Sequence, residues 1–172
     1  MRLLATIGAL GLAVAVIAAG YFFGGFYSVA GTAYEPEIVK KVLIQVRSAS
    51  VARHAKDVAP ANLEEPATIR AGALKYVEHG CTTCHGGPGV GWLKFSEGMH
   101  PDPPGLKYVV DERTPSELFW VIKNGINMTG MPSFALAGAK DEELWQIVAF
   151  LKKSPSVSDA DFKAWSAGAA KP

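Results

Sequence analysis

Residues 81–85 read Cys81-Thr82-Thr83-Cys84-His85, and the rest of the chain is best understood outward from this stretch. Two thiols three positions apart can each add to one vinyl group of a porphyrin. A histidine directly after the second thiol is then held beneath the iron as its proximal ligand. The pattern is therefore an attachment signature for one covalent haem c, with Cys81 and Cys84 as thioether donors and His85 on the metal. Two other chemistries compete for it. A tetrahedral zinc site needs two more ligands at sensible spacing, yet Cys81 and Cys84 are the only cysteines present. A thioredoxin-like pair wants strand–helix alternation around it and does not require the histidine. The context favours haem.

At 172 residues the chain has room for one domain of ordinary size plus an appendage, and its net charge of +1 makes no case for nucleic acid. The appendage is N-terminal. After Arg2 no charged residue appears until Glu35, and Leu3–Phe26 is almost wholly apolar or glycine. About 20 such residues cross a bilayer as a helix. A cleaved signal peptide is the alternative, with Ala13-Val14-Ala15 as its small-residue site. Apolar character continues past that point through Ile17, Tyr21, Phe22 and Phe23, so an uncleaved single-pass anchor is expected. Arg2 on the short side predicts a cytoplasmic N-terminus, an inner (cytoplasmic) membrane location, and a haem domain on the periplasmic side. Export agrees with the cysteines, since haem attachment of this type takes place outside the bacterial cytoplasm. Aromatic residues from Tyr21 to Tyr27 suit the headgroup layer. Gly20 and Gly24, spaced as small-xxx-small, suit a second membrane helix packed closely.

Four segments follow from the patterning: an anchor over 1–34, a helical segment and linker over 35–66, the compact domain over 67–153, and a tail over 154–172. Within 37–55, Ile38, Val42, Val46 and Ala49 recur at helical spacing among Lys40, Lys41, Arg47 and Arg53. That predicts a helix lying on the domain or on a partner, with a β-branched strand through 39–46 as the rival. Thr68–His79 reads as a helix stopped by Gly80. Residues 86–113 read as loop, rich in glycine and proline, as in a chain wrapped around something it does not itself supply. Thr114-Pro115-Ser116-Glu117 is a helix start with a capping box, and a last helix begins near Asp141. The expected fold class is all-α.

A closed electron-transfer haem needs a ligand opposite His85, and Met99, Met128, Met131 and the remaining histidines are available. Met131 stands in Thr129-Gly130-Met131-Pro132, between two helices. With the cysteine–histidine motif behind a helix, this resembles the class I cytochrome c family over roughly residues 67–153. The resemblance implies three to four helices wrapped around one haem, with Met131 as the distal ligand. It further implies that the carbonyl of Pro104, in Pro104-Gly105-Leu106, accepts the other N–H of His85, and that Leu106 packs on the haem. Crosswise packing of the first and last helices would join Gly72 and Tyr76 to Trp145 or Val148 and Phe150, with Trp120 and Phe134 lining the pocket. Met128 is expected to pack or face solvent, and Met99 lies only 14 residues past His85, too near to reach around the ring easily. The strings Gly87-Pro88-Gly89-Val90, Gly98-Met99-His100-Pro101-Asp102-Pro103-Pro104 and Glu117-Leu118-Phe119-Trp120 are similar to a subgroup of membrane-anchored bacterial monohaem cytochromes.

His54, His79 and His100 carry a plainer expectation of surface or loop hydrogen bonding. His54, between Arg53 and Lys56, suits a cationic surface or a docking contact, and His100 beside Pro101 is placed to approach a haem propionate as the alternative to a loop hydrogen bond. The implied function is one-electron transfer by a carrier rather than catalysis on a small-molecule substrate. Its expected partners are the membrane and integral or periplasmic oxidoreductase subunits of a respiratory or dehydrogenase complex. The alternative is a haem with an open or displaceable distal site, of gas-binding or peroxidase-like character.

Overall fold

The computed structural model describes residues 1–169, without the side chains of Lys107 and Tyr108, so the end of the expected tail lies outside the described residues. The chain divides into two units, Met1–Glu35 and Pro36 onward. The first is a single helix, α1 (Arg2–Phe23), 22 residues long with no buried side chain. At about 1.5 Å per residue it extends ~33 Å, enough to cross the ~30 Å hydrocarbon core of a bilayer. It is long and apolar enough to be a membrane span. The aromatic residues at its far end cluster together, with Tyr21 edge-on to Phe22 at 5.5 Å and Phe22 against Tyr27 at 5.2 Å.

The second unit is helical. Its elements are α2 (Glu37–His54), α3 (Pro66–Glu78), α4 (Cys81–His85), a 3-10 turn at Lys94–Gly98 and α5 (Leu106–Val109), then α6 (Pro115–Asn124), α7 (Asp141–Lys153) and α8 (Asp159–Trp165). Among the described residues the only β pairing is an isolated bridge between Gly87 and Val90. The helical reading of 37–55 therefore prevails over the strand: α2 runs unbroken over eighteen residues, whereas a strand there would have no pairing partner among the described residues. The 86–113 stretch contains two short helical pieces where continuous loop is expected.

The core is a crossing of α3 and α7. Gly72 permits it: a Cβ there would fall 1.9 Å from the carbonyl oxygen of Gln146. Only a hydrogen fits between the backbones. One turn on, Tyr76 packs against Phe150 with ring centroids 5.3 Å apart. Trp145 stacks on Phe119 of α6 at 4.1 Å and 5°, which joins α7 to α6. The expected capping box starts α6, with Glu117 N donating to Thr114 Oγ1 at 3.2 Å and Thr114 N to Glu117 Oε2 at 2.9 Å. At the other end of the unit, Lys152 Nζ donates to the Val110 and Arg113 carbonyls at 2.7 and 3.3 Å, which ties α7 to the loop before α6.

The segment after Lys153 is more than a tail. The α8 helix, capped by Ser158 Oγ accepting from Asp161 N, turns back and buries Phe162. That ring stacks on Phe150 at 5.3 Å and meets Tyr76 at 6.4 Å. Gly87 lies directly beneath it, since a Cβ there would be 3.0 Å from the Phe162 ring. This closing helix therefore bears on the loop that follows the Cys81–His85 motif.

Candidate haem-binding site

The site begins at Gly80, whose φ of 73° turns the chain out of α3 and into α4. A side chain at that position would meet nothing closer than Thr83 Oγ1 at 3.9 Å, so the glycine serves the left-handed backbone and not a tight contact. The single turn of α4 places Cys81 and Cys84 on one face, three positions apart, as free thiols. Burial, assisted by the neighbouring Cys84, pushes the Cys81 thiol up to about 12. An uncharged thioether suits that environment better than a thiolate does. The far side of the motif is fixed by three bonds. Tyr76 OH donates to the Gly86 carbonyl at 2.8 Å, Gly86 N to Thr82 O at 3.0 Å, and Leu93 N to Thr83 O at 2.9 Å.

His85 Nδ1 lies 2.9 Å from the Pro104 carbonyl oxygen. A carbonyl can only accept, so Nδ1 carries the proton and Nε2 is left with its lone pair. Burial pulls the imidazole below its ordinary pKa, while the Pro104 bond works in the opposite direction. The outcome is a neutral, oriented ring, the form that ligates a metal. Beside it, a cavity of about 210 Å³ is lined by Cys84, Trp92, Ser96, Pro104 and their neighbours. Ser96 is buried on its wall, its hydroxyl donating to the Leu93 carbonyl at 2.6 Å.

Met131 is half-buried against the core. Its segment is held by Ile126 N donating to Met131 O at 3.1 Å, Met131 N to Thr129 Oγ1 at 3.1 Å, and Ser133 Oγ to Lys123 O at 2.7 Å. Gly125, with φ of 70°, lets this return pass against the end of α6, where a Cβ would come 2.6 Å from the Pro132 carbonyl carbon. Met128 goes the other way: it adopts a φ of 58° and is 92% exposed, so of the two expected roles, packing or surface, it takes the surface one.

Met99 is the surprise among the methionines. Its Sδ rests over Gly130, where a Cβ would be only 2.9 Å away, so it sits one residue from Met131 despite its short separation from His85. The glycine-rich segment 86–98 carries it round, a path that sequence separation alone does not disclose. Leu106 is partly buried against the hydrophobic core. The observed ring partner of Trp120 is His54 of α2, at 6.0 Å and 26°, and Phe134 meets His79 edge-on at 5.6 Å. His54 is exposed at the end of α2, with Nδ1 at 2.8 Å from the Ser50 carbonyl oxygen and its ring beside Trp120. His79 Nε2 is buried without a hydrogen bond among the described residues, 4.0 Å from Glu143 Oε2. The ring of His100 turns to the Met99 carbonyl at 3.0 Å.

This donor set fits a haem: two unpaired thiols on one helical turn, an imidazole whose Nδ1 proton is held by the Pro104 carbonyl so that Nε2 keeps its lone pair, and a thioether sulfur on an anchored loop. Among the described residues no group of three or more His, Cys, Asp or Glu converges to hold a metal ion by itself, so the zinc reading gains no partners. Residues 67–151 match the family model described as cytochrome C oxidase, cbb3-type, subunit III. No curated protein and no solved structure gives a significant match. The fold, the donor set and the family match agree on a c-type cytochrome domain over residues 67–151, behind an N-terminal apolar helix able to cross a membrane.

Proposed function

We propose that Cys81 and Cys84 hold one haem c through thioether bonds, that His85 and Met131 ligate its iron, and that the domain relays single electrons on the periplasmic side of the inner membrane. The observation that carries this reading is the 2.9 Å contact between His85 Nδ1 and the Pro104 carbonyl, which orients the imidazole for a metal. The haem supplies the one-electron couple. His85 would supply a strong nitrogen ligand and Met131 a weak sulfur donor, a pair that favours the reduced state. With both residues bound to the iron, the protein would leave no coordination place for a substrate. A role within a membrane oxidoreductase complex accords with the subunit description of the matched family and with α1 as an anchor. Pro104, Leu106 and Trp120 would position and pack the haem rather than ligate it.

The test is spectroscopic. The ferric protein should show the weak red-end absorption band of a methionine–iron bond, and the reduced protein should take up carbon monoxide poorly. Absence of the band with ready carbon monoxide binding would replace the carrier by the open-site alternative.

A further inference from the structure

Met99 is anchored at its backbone and leans on the loop that carries Met131. Leu93 N donates to Thr83 O of α4 at 2.9 Å, and Ser96 N and Oγ donate to Leu93 O at 3.0 and 2.6 Å. Met99 N in turn donates to Ser96 O at 3.2 Å. Five positions after Met99, the Pro104 carbonyl holds His85 Nδ1. Between them stand Pro101 and Pro103, and with Pro104 their rings fix φ at three of the six positions 99–104. The segment that carries Met99 is thus pinned at both ends to the turn that bears Cys81, Cys84 and His85. The side chain of Met99, half-buried, reaches Gly130: a Cβ at that position would lie 2.9 Å from its Sδ, 3.3 Å from Cε and 3.8 Å from Cγ. Gly130 has no positive φ of the kind that Gly80 and Gly125 adopt, so its backbone conformation accepts a side chain and Met99 occupies the space.

We propose that Met99 is a positioning residue for the distal ligand: its side chain, resting on Gly130, holds the Met131 loop closed over the haem. The loop's own bonds explain why it needs holding. Thr129 N and Oγ1 donate to Ile126 O at 3.2 and 2.8 Å, Met131 N to Thr129 Oγ1 at 3.1 Å, and Ile126 N to Met131 O at 3.1 Å. These bonds shape the turn but join it to itself. Its far end is tied to α6, through Ser133 Oγ on Lys123 O and Phe134 N on Ile122 O. The Met99–Gly130 contact is what joins this loop to the segment pinned on the His85 turn, one residue from Met131. An unbranched, polarizable thioether suits a contact of this kind, because it fills an irregular gap against bare backbone. The contact matters because methionine is a weak donor to iron, so the closing of its loop supplies part of what keeps it bound. This inference rests on His85 and Met131 being the two axial ligands, and it gives Met99 a role in packing and not on the metal.

Cyanide binding to the ferric, haem-loaded full chain tests this, since cyanide enters where the methionine sulfur leaves. Met99→Ala and Gly130→Ala should each speed binding about tenfold while the red-end absorption band remains, and the double variant should be no faster than either, because both remove one contact. Met99→Leu, close in volume but without sulfur, should stay within about twofold of the parent. Hydrogen exchange reads the same loop without reference to iron: the Met131 amide should exchange about tenfold faster in Met99→Ala, with the Leu118 amide of α6 unchanged. Either rate unchanged in Met99→Ala overturns the proposal, as do single effects that multiply in the double variant. Loss of the red-end band in Met99→Leu also overturns it, by making Met99 a ligand. The ligand reading is judged separately, by whether the band survives in Met131→Ala, so its failure is not mistaken for failure of the contact.

Discussion

His85 and Pro104 are nineteen residues apart in sequence and joined by one hydrogen bond, Nδ1 to carbonyl oxygen at 2.9 Å. The bond ties the ligand turn to the far end of a proline-rich loop, so the loop's stiffness becomes the stiffness of the imidazole. Replacing Pro104 leaves a carbonyl in place but frees the backbone that aims it. Pro104→Gly should retain both thioethers, loosen the ring and make the imidazole a weaker donor to ferric iron. The reduction potential should then rise by ~20–60 mV, the equivalent of an ordinary hydrogen bond's ~0.5–1.5 kcal/mol. Redox titration of the purified variant checks it, and an unchanged potential would separate the loop from the metal's tuning.

The two methionines of the 125–132 segment make opposite predictions. Met131 is half-buried on a hydrogen-bonded return, whereas Met128 is 92% exposed. Met131→Ala should abolish the red-end ferric band and let carbon monoxide bind the reduced protein rapidly. Met128→Ala should change neither. A band that survives in Met131→Ala but disappears in the double variant with Met99→Ala would identify Met99, which rests over Gly130, as a substitute ligand.

Glycine at position 72 is a packing requirement and nothing else. An alanine methyl would fall 1.9 Å from Gln146 O and 2.5 Å from its carbonyl carbon, both backbone atoms of α7. Neither can swing aside, so the helices must part along the crossing. Overpacking commonly costs ~1–3 kcal/mol, and with only backbone to yield Gly72→Ala should lie at about 3 kcal/mol. Gly98→Ala, where nothing lies within 4 Å, should stay within about 0.5 kcal/mol of the parent. Urea unfolding of the haem-loaded proteins, followed by circular dichroism, measures both.

Which parts of this architecture the sequence disclosed depends on how local their determinants are. Thr114 and Glu117, three residues apart, announce the start of α6, and both reciprocal bonds form. Gly80 before Cys81 announces the turn into the motif, and the left-handed φ is there. By contrast, Trp145 has a helical position compatible with either neighbour, and only the three-dimensional crossing decides that it stacks on Phe119. Met99 reaches Gly130 along a path set by loop curvature, which residue spacing does not encode. The helix at 159–165 is seven residues long with a single deeply buried side chain, too short for an apolar period to stand out.

That last helix can be tested directly. Phe162 is buried, stacked on Phe150 and resting over Gly87 beside the haem motif. Truncating a buried phenylalanine costs ~3–5 kcal/mol, so Phe162→Ala should destabilise the domain by about that much. A dispensable tail would give a change within about 0.5 kcal/mol. Thermal unfolding of the haem-loaded variant distinguishes the two, and the loss of support under Gly87 should also appear as faster exchange of the Gly87 and Val90 amides, which are paired across the isolated bridge.

Acid should weaken the α3–α7 crossing through one carboxylate. Glu143 accepts from Lys75 Nζ at 2.8 Å and from the backbone N of Lys140 at 3.0 Å. The Lys75 bond first, then the Lys140 bond, hold its pKa below the ordinary glutamate value, against a small opposing effect of burial. Lys75 is held above its own ordinary value by the same partner first and by Glu78 second. A depressed carboxylate contributes stability that is present above the unfolded glutamate pKa and disappears as pH falls through the folded one. A raised lysine contributes below its ordinary value and loses that contribution as pH rises beyond it. The pair is therefore intact from about pH 5 to about pH 10, and its two ends fail separately. Because both side chains keep about a quarter of their exposure, solvent limits the effect to about 0.5–1 kcal/mol. Glu143→Gln should lower stability by roughly that amount at pH 7 and approach the parent in strong acid, as pH falls through the depressed carboxylate pKa of the folded state. Urea midpoints across that range measure the convergence, and a constant gap at both pH values would assign Glu143 a purely steric role.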